Sequence, residues 1–126
     1  MKRYVEEPGS DEVLEAMRAA RSWWTCRIAF AEALKAIVGA GSVHGEGRLR
    51  DDWPRIAVVE VDQSLVESAG VLAIEEGLRT LDALHLAAAV LVPGGDRVLA
   101  TWDSRLWLAA RRLGIQLLPD HEPRFS

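Results

Sequence analysis

The chain has 126 residues, of which 49% are hydrophobic and 27% are charged, so one globular domain over residues 1–126 is expected. No apolar run approaches a membrane span, the N-terminus shows no signal-peptide pattern, and the lone Cys26 excludes an internal disulfide, which together predict a cytoplasmic protein. The net charge of −4 argues against a broad nucleic-acid-binding surface, although acidic side chains that bind metal ions could still reach phosphates.

The first half of the chain predicts helices separated by one short strand and followed by a loop. In chain order, the predicted elements are a helix end or loop over 2–7, a helix over 11–21, a strand over 22–26, a helix over 27–38 and a loop over 41–52. Pro8 and Gly9 break the chain before the first long helix, and glycines at 39 and 41 end the second. The loop is predicted from its glycine- and charge-rich composition.

The second half alternates strands and helices. Its predicted elements are a strand over 56–61, a helix capped by Asp62 and ended by Gly77, a helix over 81–92, a turn over 93–96, a strand over 98–101, a helix capped by Asp103 or Ser104 that ends near 113, and a strand over 115–118. Such alternation is typical of a mostly parallel sheet with helices on both faces. The sequence therefore predicts an α/β protein, in which ligands bind beyond the carboxyl ends of the strands.

The helix over 81–92 is apolar all round, which predicts burial on most sides. Asp82 nevertheless lies in its first turn. A carboxylate at the head of a buried helix is costly unless the helix dipole, a hydrogen-bond partner or a bound cation compensates it. The last of these explanations would make Asp82 part of an active site.

Two further carboxylates are candidates for the same site. Asp103 follows a short buried strand and would lie at its carboxyl end, where it also explains the start of the next helix as an N-cap. Glu32 points away from the main apolar face predicted for its helix, so periodicity alone predicts a solvated side chain. That face consists of Phe30, Ala31, Leu34, Ile37 and Val38. Three clustered carboxylates would suit Mg²⁺ or Mn²⁺, which can polarise a phosphodiester and activate water.

Arginines near the acidic residues could supply phosphate contacts. Arg79 and Arg105 each adjoin one acidic position in sequence and are the RNA-binding candidates. His85, three residues after Asp82, is expected to be a hydrogen-bonded core residue rather than a ligand. Trp102 could stack on a base, but burial in the core is the expected role.

Four segments together carry a family resemblance. They are RIAFAE at 27–32, LRTLDALHLA at 78–87, ATWDSRL at 100–106 and AARRLG at 109–114. The chain resembles the PIN-domain ribonucleases of the VapC toxin type over nearly its whole length. The resemblance implies a three-layer α/β/α PIN-like domain in which Glu32, Asp82 and Asp103 bind Mg²⁺ or Mn²⁺ and cleave RNA, and so replaces the prediction of a solvated Glu32. It also implies a homodimer and a cognate antitoxin that inserts into the active-site groove.

Two departures from the family pattern stand out. The family begins with a strand that ends in a catalytic Asp, and RYVEEPG at 3–9 already matches the end of the helix that follows it. The first strand and first catalytic Asp of the family are therefore expected to be missing from this chain. Either the true start codon lies upstream or the chain is a remnant of a PIN domain. Strand exchange with a neighbouring chain could fill the place of the missing strand. The region 40–53 is also shorter than the corresponding helical segment of the family.

Three functions remain open at this point. The leading one is a metal-dependent endoribonuclease, the toxin of a toxin–antitoxin pair. The second is a catalytically impaired PIN remnant that binds RNA or the antitoxin without cleavage. The third is another doubly wound fold with an acidic pocket, such as a phosphoryl-transfer receiver or a hydrolase, although such folds carry an acidic nucleophile on an early strand.

Overall fold

The computed structural model describes residues 3, 7–94 and 96–123, and the chain divides into two compact units, residues 1–58 and 59–126. Residues 2 and 4–6 of the expected helix end, and with them the middle of the family match at 3–9, lie outside the described residues. Among the helices described, none combines the length and apolar character needed to cross a membrane. Each unit is described below by itself.

The first unit contains three α-helices and a pair of strands. In chain order these are α1 (Ser10–Ala19), β1 (Trp24–Cys26), α2 (Ala29–Gly39), α3 (Gly45–Asp52), a short 3₁₀ turn (Trp53–Arg55) and β2 (Ala57–Val59), whose last residue is the first of the second unit. The strands β1 and β2 form a two-stranded sheet, and just before β1 the carbonyl of Trp23 accepts a 2.8 Å hydrogen bond from the amide of Ala57. The buried apolar residues of this unit are Cys26, Ile37 and Leu49.

The loop predicted over 41–52 is wrong, because most of this segment forms α3. The Ser42 hydroxyl accepts a 3.1 Å hydrogen bond from the amide of Gly45 at the start of the helix. Leu49 and Asp52, three residues apart and therefore on one side of the helix, are both about 1% exposed. The burial of Leu49 and the ion pairs of the Asp52 carboxylate thus stabilise this helix, although its two glycines led to the prediction of a loop.

The apolar face predicted for α2 is also partly wrong. Ile37 is fully buried, as expected, but Val38 is 63% exposed and Ala31 is exposed as well. Glu32 is half-buried rather than fully solvated. The buried side of α2 is therefore rotated from the predicted one, toward the side on which Glu32 lies.

The second unit alternates helices and strands as predicted. It contains α4 (Gln63–Glu76), α5 (Thr80–Leu91), β3 (Val98–Ala100), α6 (Ser104–Arg112) and β4 (Gln116–Leu118). The strands β3 and β4 pair in parallel, with Val98 opposite Gln116 and Ala100 opposite Leu118. The α/β class is confirmed, and the strands of the described residues form two pairs, β1–β2 and β3–β4.

The limits of α4 agree with the sequence. The Asp62 carboxylate caps the helix by accepting a 2.8 Å hydrogen bond from the amide of Leu65. Gly77 ends it with φ 63° and ψ 36°, a left-handed conformation that glycine adopts without the steric cost of a Cβ atom. Asp62 and Gly77 thus fix the two ends of α4, and α5 begins three residues after Gly77, at Thr80.

The predicted burial of α5 on most sides is observed in the middle of the helix, where no residue from 83 to 89 is exposed. The buried residues are spread over more than half of the helix circumference, and α5 packs against both α4 and α6. These buried residues are Ala83, Leu84, Leu86, Ala87 and Ala88. Exposed apolar side chains occur at the two ends of α5, where Leu81 is 45% exposed and Leu91 is 62% exposed.

Candidate active site

Asp103 is positioned where β3 leads into α6. The amide of Thr101 donates to the carbonyl of Leu118 at 3.0 Å, which continues the ladder between β3 and β4 beyond the last strand residue. The Asp103 amide donates to the Thr101 hydroxyl at 3.2 Å, and its Oδ1 accepts a 3.0 Å hydrogen bond from the amide of Leu106. The predicted placement of Asp103 as an N-cap beyond the end of a strand is confirmed, and its Oδ2 atom remains for other contacts.

Asp82 is positioned by the first turn of α5, whose N-cap residue is Arg79. The unsatisfied amides of a helix N-terminus give it a partial positive charge, which stabilises a carboxylate in the first turn. The side chain of Asp82 is 18% exposed and that of Asp103 is 22% exposed. Both carboxylates are therefore close to the surface and accessible to solvent.

One guanidinium joins the two carboxylates. Nε of Arg79 donates to Oδ2 of Asp82 at 3.2 Å, and Nη2 donates to Oδ2 of Asp103, also at 3.2 Å. The Arg79 side chain is 73% exposed, so solvent screens both ion pairs. Two carboxylate oxygens from different helices thus converge on a single positive charge, and the compensation that Asp82 needs comes from Arg79 together with the helix N-terminus.

The donor set suits a divalent cation. Carboxylate oxygens are the ligands that Mg²⁺ and Mn²⁺ prefer, and Oδ2 of Asp82 and Oδ2 of Asp103 already face one cationic group. Over residues 3, 7–94 and 96–123, no group of three or more His, Cys, Asp or Glu side chains has an arrangement that could hold an ion. Glu32 lies on α2 in the first unit, and its role as a third ligand stays a prediction.

The remaining candidates have mixed outcomes. His85 and Trp102, both expected in the core, are half-buried. Trp107 is buried instead: it is 2% exposed, and its indole donates to the carbonyl of Pro119 at 2.9 Å. Arg105 is exposed and, within the described part of the chain, forms an ion pair with neither Asp82 nor Asp103. The RNA-binding roles of Arg79 and Arg105 stay predictions.

A second charged group, in the first unit, was missed from the sequence. Asp52 is 1% exposed, and its carboxylate binds both Arg3 and Arg55. The three-residue spacing of Asp52 and Arg55 was a usable local signal. The pairing with Arg3 spans 49 residues, so no local pattern could have revealed it.

Comparison with known proteins identifies the family. The PIN domain matches residues 4–112 of this chain. Ribonuclease VapC46 of Mycobacterium tuberculosis (strain H37Rv) is 33% identical over 119 residues, which are 94% of this chain and 89% of the relative. Ribonuclease VapC45 (strain CDC 1551) and Ribonuclease VapC49 (strain H37Rv) of the same species are each 32% identical over 102 residues, 74% of this chain and 71% of the relative. No solved structure shows significant similarity. The chain therefore belongs to the PIN-domain family and is related to VapC ribonucleases over most of its length.

Proposed function

We propose that this protein is a metal-dependent endoribonuclease, the toxin of a toxin–antitoxin pair, which hydrolyses RNA phosphodiester bonds. The observation that carries the proposal is the convergence of Oδ2 of Asp82 and Oδ2 of Asp103 on one cationic group. The names of the relatives, all of them ribonucleases, support RNA as the substrate.

Asp82 and Asp103 would hold Mg²⁺ or Mn²⁺ through these oxygens. When bound, such an ion supplies Lewis-acid polarisation of a phosphodiester and lowers the pKa of a bound water. The hydrogen bond between Oδ1 of Asp103 and the amide of Leu106 restrains this carboxylate, so that Oδ2 is oriented before any ligand arrives. Glu32 is proposed as a third ligand or as the group that orients the attacking water.

Arg79 and Arg105 are the proposed RNA contacts beside these carboxylates. Arg79 could turn toward an RNA phosphate once Asp82 and Asp103 hold an ion, because its side chain is 73% exposed and has room to move. Arg105 follows Asp103 by two residues and is exposed in the first turn of α6. Both side chains are proposed to contact RNA phosphates beside the bond that would be cleaved.

The proposed partners and location follow from the resemblance to VapC-type toxins. They are a cognate antitoxin that covers the active site, a second copy of this chain in a homodimer, and the cytoplasm as the compartment in which cellular RNA is met.

A matched pair of variants tests the catalytic proposal. Asp103 and Asp62 both cap a helix by accepting a hydrogen bond from the amide three residues later, and asparagine is an equally good N-cap. Asp103→Asn and Asp62→Asn should therefore retain the fold to the same extent. We expect Asp103→Asn to lower Mn²⁺-dependent RNA cleavage by on the order of 100-fold, a loss typical of removing one electrostatic contact from an active site. We expect Asp62→Asn to remain active, and equal activity of the two variants would refute the proposed role of Asp103.

A further inference from the structure

Arginine side chains surround a cavity in the first unit. Its volume is about 390 Å³, within the range of small-molecule sites. The lining residues are Arg3, Leu14, Arg18, Trp23, Arg48 and Arg55. In the part of the chain that the structure describes, no carboxylate lines the cavity. Four arginines thus line one cavity on a chain whose net charge is −4.

Two of these arginines, Arg3 and Arg55, are held in place by contacts with Asp52 and Trp23. Arg3 binds the buried Asp52 carboxylate through Nε and through Nη2, the latter at 3.1 Å from Oδ1, and Arg55 donates Nη2 to the same Oδ1 at 2.8 Å. Both guanidinium groups lie over the Trp23 ring, 5.0 Å and 5.4 Å from its centroid. Asp52 and Trp23 therefore act as positioning residues, which fix two guanidinium groups at the wall of the cavity.

The other two arginines are exposed. Arg18 lies in the last turn of α1, and Arg48 on α3 donates Nη1 to the carbonyl of Arg3 at 3.2 Å. A guanidinium has five N–H donors, so one such bond leaves Arg48 with donors for a ligand. Clustered like charges in a concave site repel each other and attract counter-ions, and a bound anion would relieve this repulsion.

The chemistry of the cluster favours phosphate over a single carboxylate. Planar guanidinium groups match the oxygens of a phosphate with paired hydrogen bonds, and several arginines can serve successive phosphates of one strand. We propose that this cavity binds backbone phosphates of a single-stranded RNA segment, through residues other than the carboxylates that would cleave it. The choice of RNA as the source of the phosphates rests on the proposed function, whereas the binding of phosphate does not.

The test measures RNA binding without cleavage. A fluorescently labelled single-stranded RNA is titrated with the full chain in the presence of a chelator, and anisotropy is recorded at several salt concentrations. The pocket variant is Arg18→Gln/Arg48→Gln, which leaves the pairs of Asp52 intact. The control is Arg21→Gln/Arg111→Gln, because both residues are exposed, neither lines the cavity and the change in charge is the same. Thermal unfolding of each variant verifies that the fold is retained.

We expect the pocket variant to bind RNA on the order of tenfold more weakly than the control. The dependence of log affinity on log salt should become shallower by about 1.4, because each single-strand phosphate that an arginine neutralises adds about 0.7 to the slope and the variant removes two arginines. Equal weakening in the two variants would overturn the proposal, since the effect would then be general electrostatics.

Two competitors separate the sources of the anion. Inorganic phosphate should displace RNA from the unaltered chain more effectively than from the pocket variant, and a polyglutamate peptide should compete only weakly with both. Loss of phosphate binding without loss of RNA binding would assign the cavity to free phosphate and overturn the RNA proposal. Strong competition by polyglutamate would overturn it in favour of an acidic protein segment. Because the chelator prevents metal-dependent cleavage, a failure of the proposed catalytic function would leave this result unaffected.

Discussion

Replacement of Arg79 should strengthen the binding of a divalent cation. In the structure its guanidinium occupies both Oδ2 of Asp82 and Oδ2 of Asp103, each at 3.2 Å. An arriving Mn²⁺ must displace both ion pairs and also meets a positive charge. In Arg79→Gln neither pair exists, so the competition disappears.

The size of the effect follows from exposure. Because the Arg79 side chain is 73% exposed, the pairs are screened as surface pairs rather than as buried ones. Exposed pairs contribute about 0.2–1 kcal/mol each, so two of them oppose metal binding by about 0.4–2 kcal/mol. At about 1.4 kcal/mol for each factor of ten, the dissociation constant for Mn²⁺ should fall by about twofold to thirtyfold.

The assay is a titration followed by electron paramagnetic resonance, in which the signal of free Mn²⁺ disappears on binding. Arg105→Gln is the control, because it removes an equal charge two residues from Asp103 without removing an ion pair to either carboxylate. Most of the increase in Mn²⁺ affinity should be specific to Arg79→Gln. The increase should be smaller at high salt, where exposed charges are screened. Weaker Mn²⁺ binding by Arg79→Gln would refute the reasoning, since Arg79 would then support the ion rather than compete with it.

Two further predictions concern stability, measured by denaturant unfolding. Asp52→Asn should lower the free energy of unfolding by about 1.5–3 kcal/mol, because it weakens charge-assisted hydrogen bonds of a buried carboxylate, whereas Asp51→Asn, an exposed neighbour, should have little effect. Equal midpoints for these two variants would contradict the assigned role of Asp52. Gly77→Ala should destabilise by about 1 kcal/mol because its φ of 63° is left-handed, and open space around Gly77 leaves conformation as the only cost. Gly70→Ala, inside α4 and also facing open space, should instead stabilise by about 0.5–1 kcal/mol, so a change of the same sign at both glycines would refute the argument.

The elements that could be predicted from the sequence are those with local chemical signals. Asp62, Gly77 and Asp103 all act as predicted, because a cap or a left-handed turn depends on residues within one helical turn. The alternation of strands and helices in the second unit follows from the same local patterns. The position of Asp103 was expected from strand-end topology, because it follows β3, whereas Asp82 lies in a helix that follows another helix and not a strand.

What could not be predicted depends on distant partners. The helix α3 forms where glycines and charges predicted a loop, because Leu49 is buried and Asp52 pairs with an arginine 49 residues away. Arg79 is close in sequence to Asp82, so their ion pair could be inferred locally. The ion pair of Arg79 with Asp103 spans 24 residues and joins two helices, so no local pattern revealed it. The exposure of Leu81 at the start of α5 shows the converse limit, since an apolar sequence does not reveal how far along a helix the packing extends.

The central claim is tested most directly by RNA cleavage as a function of Mn²⁺ concentration, measured for the unaltered chain beside Asp82→Asn. The account predicts cleavage that rises with Mn²⁺, is absent in chelator, and is abolished in Asp82→Asn while thermal unfolding shows that this variant remains folded. Cleavage that persists in chelator, or that Asp82→Asn retains in full, would contradict the assignment of this carboxylate pair as the metal-binding centre of a ribonuclease.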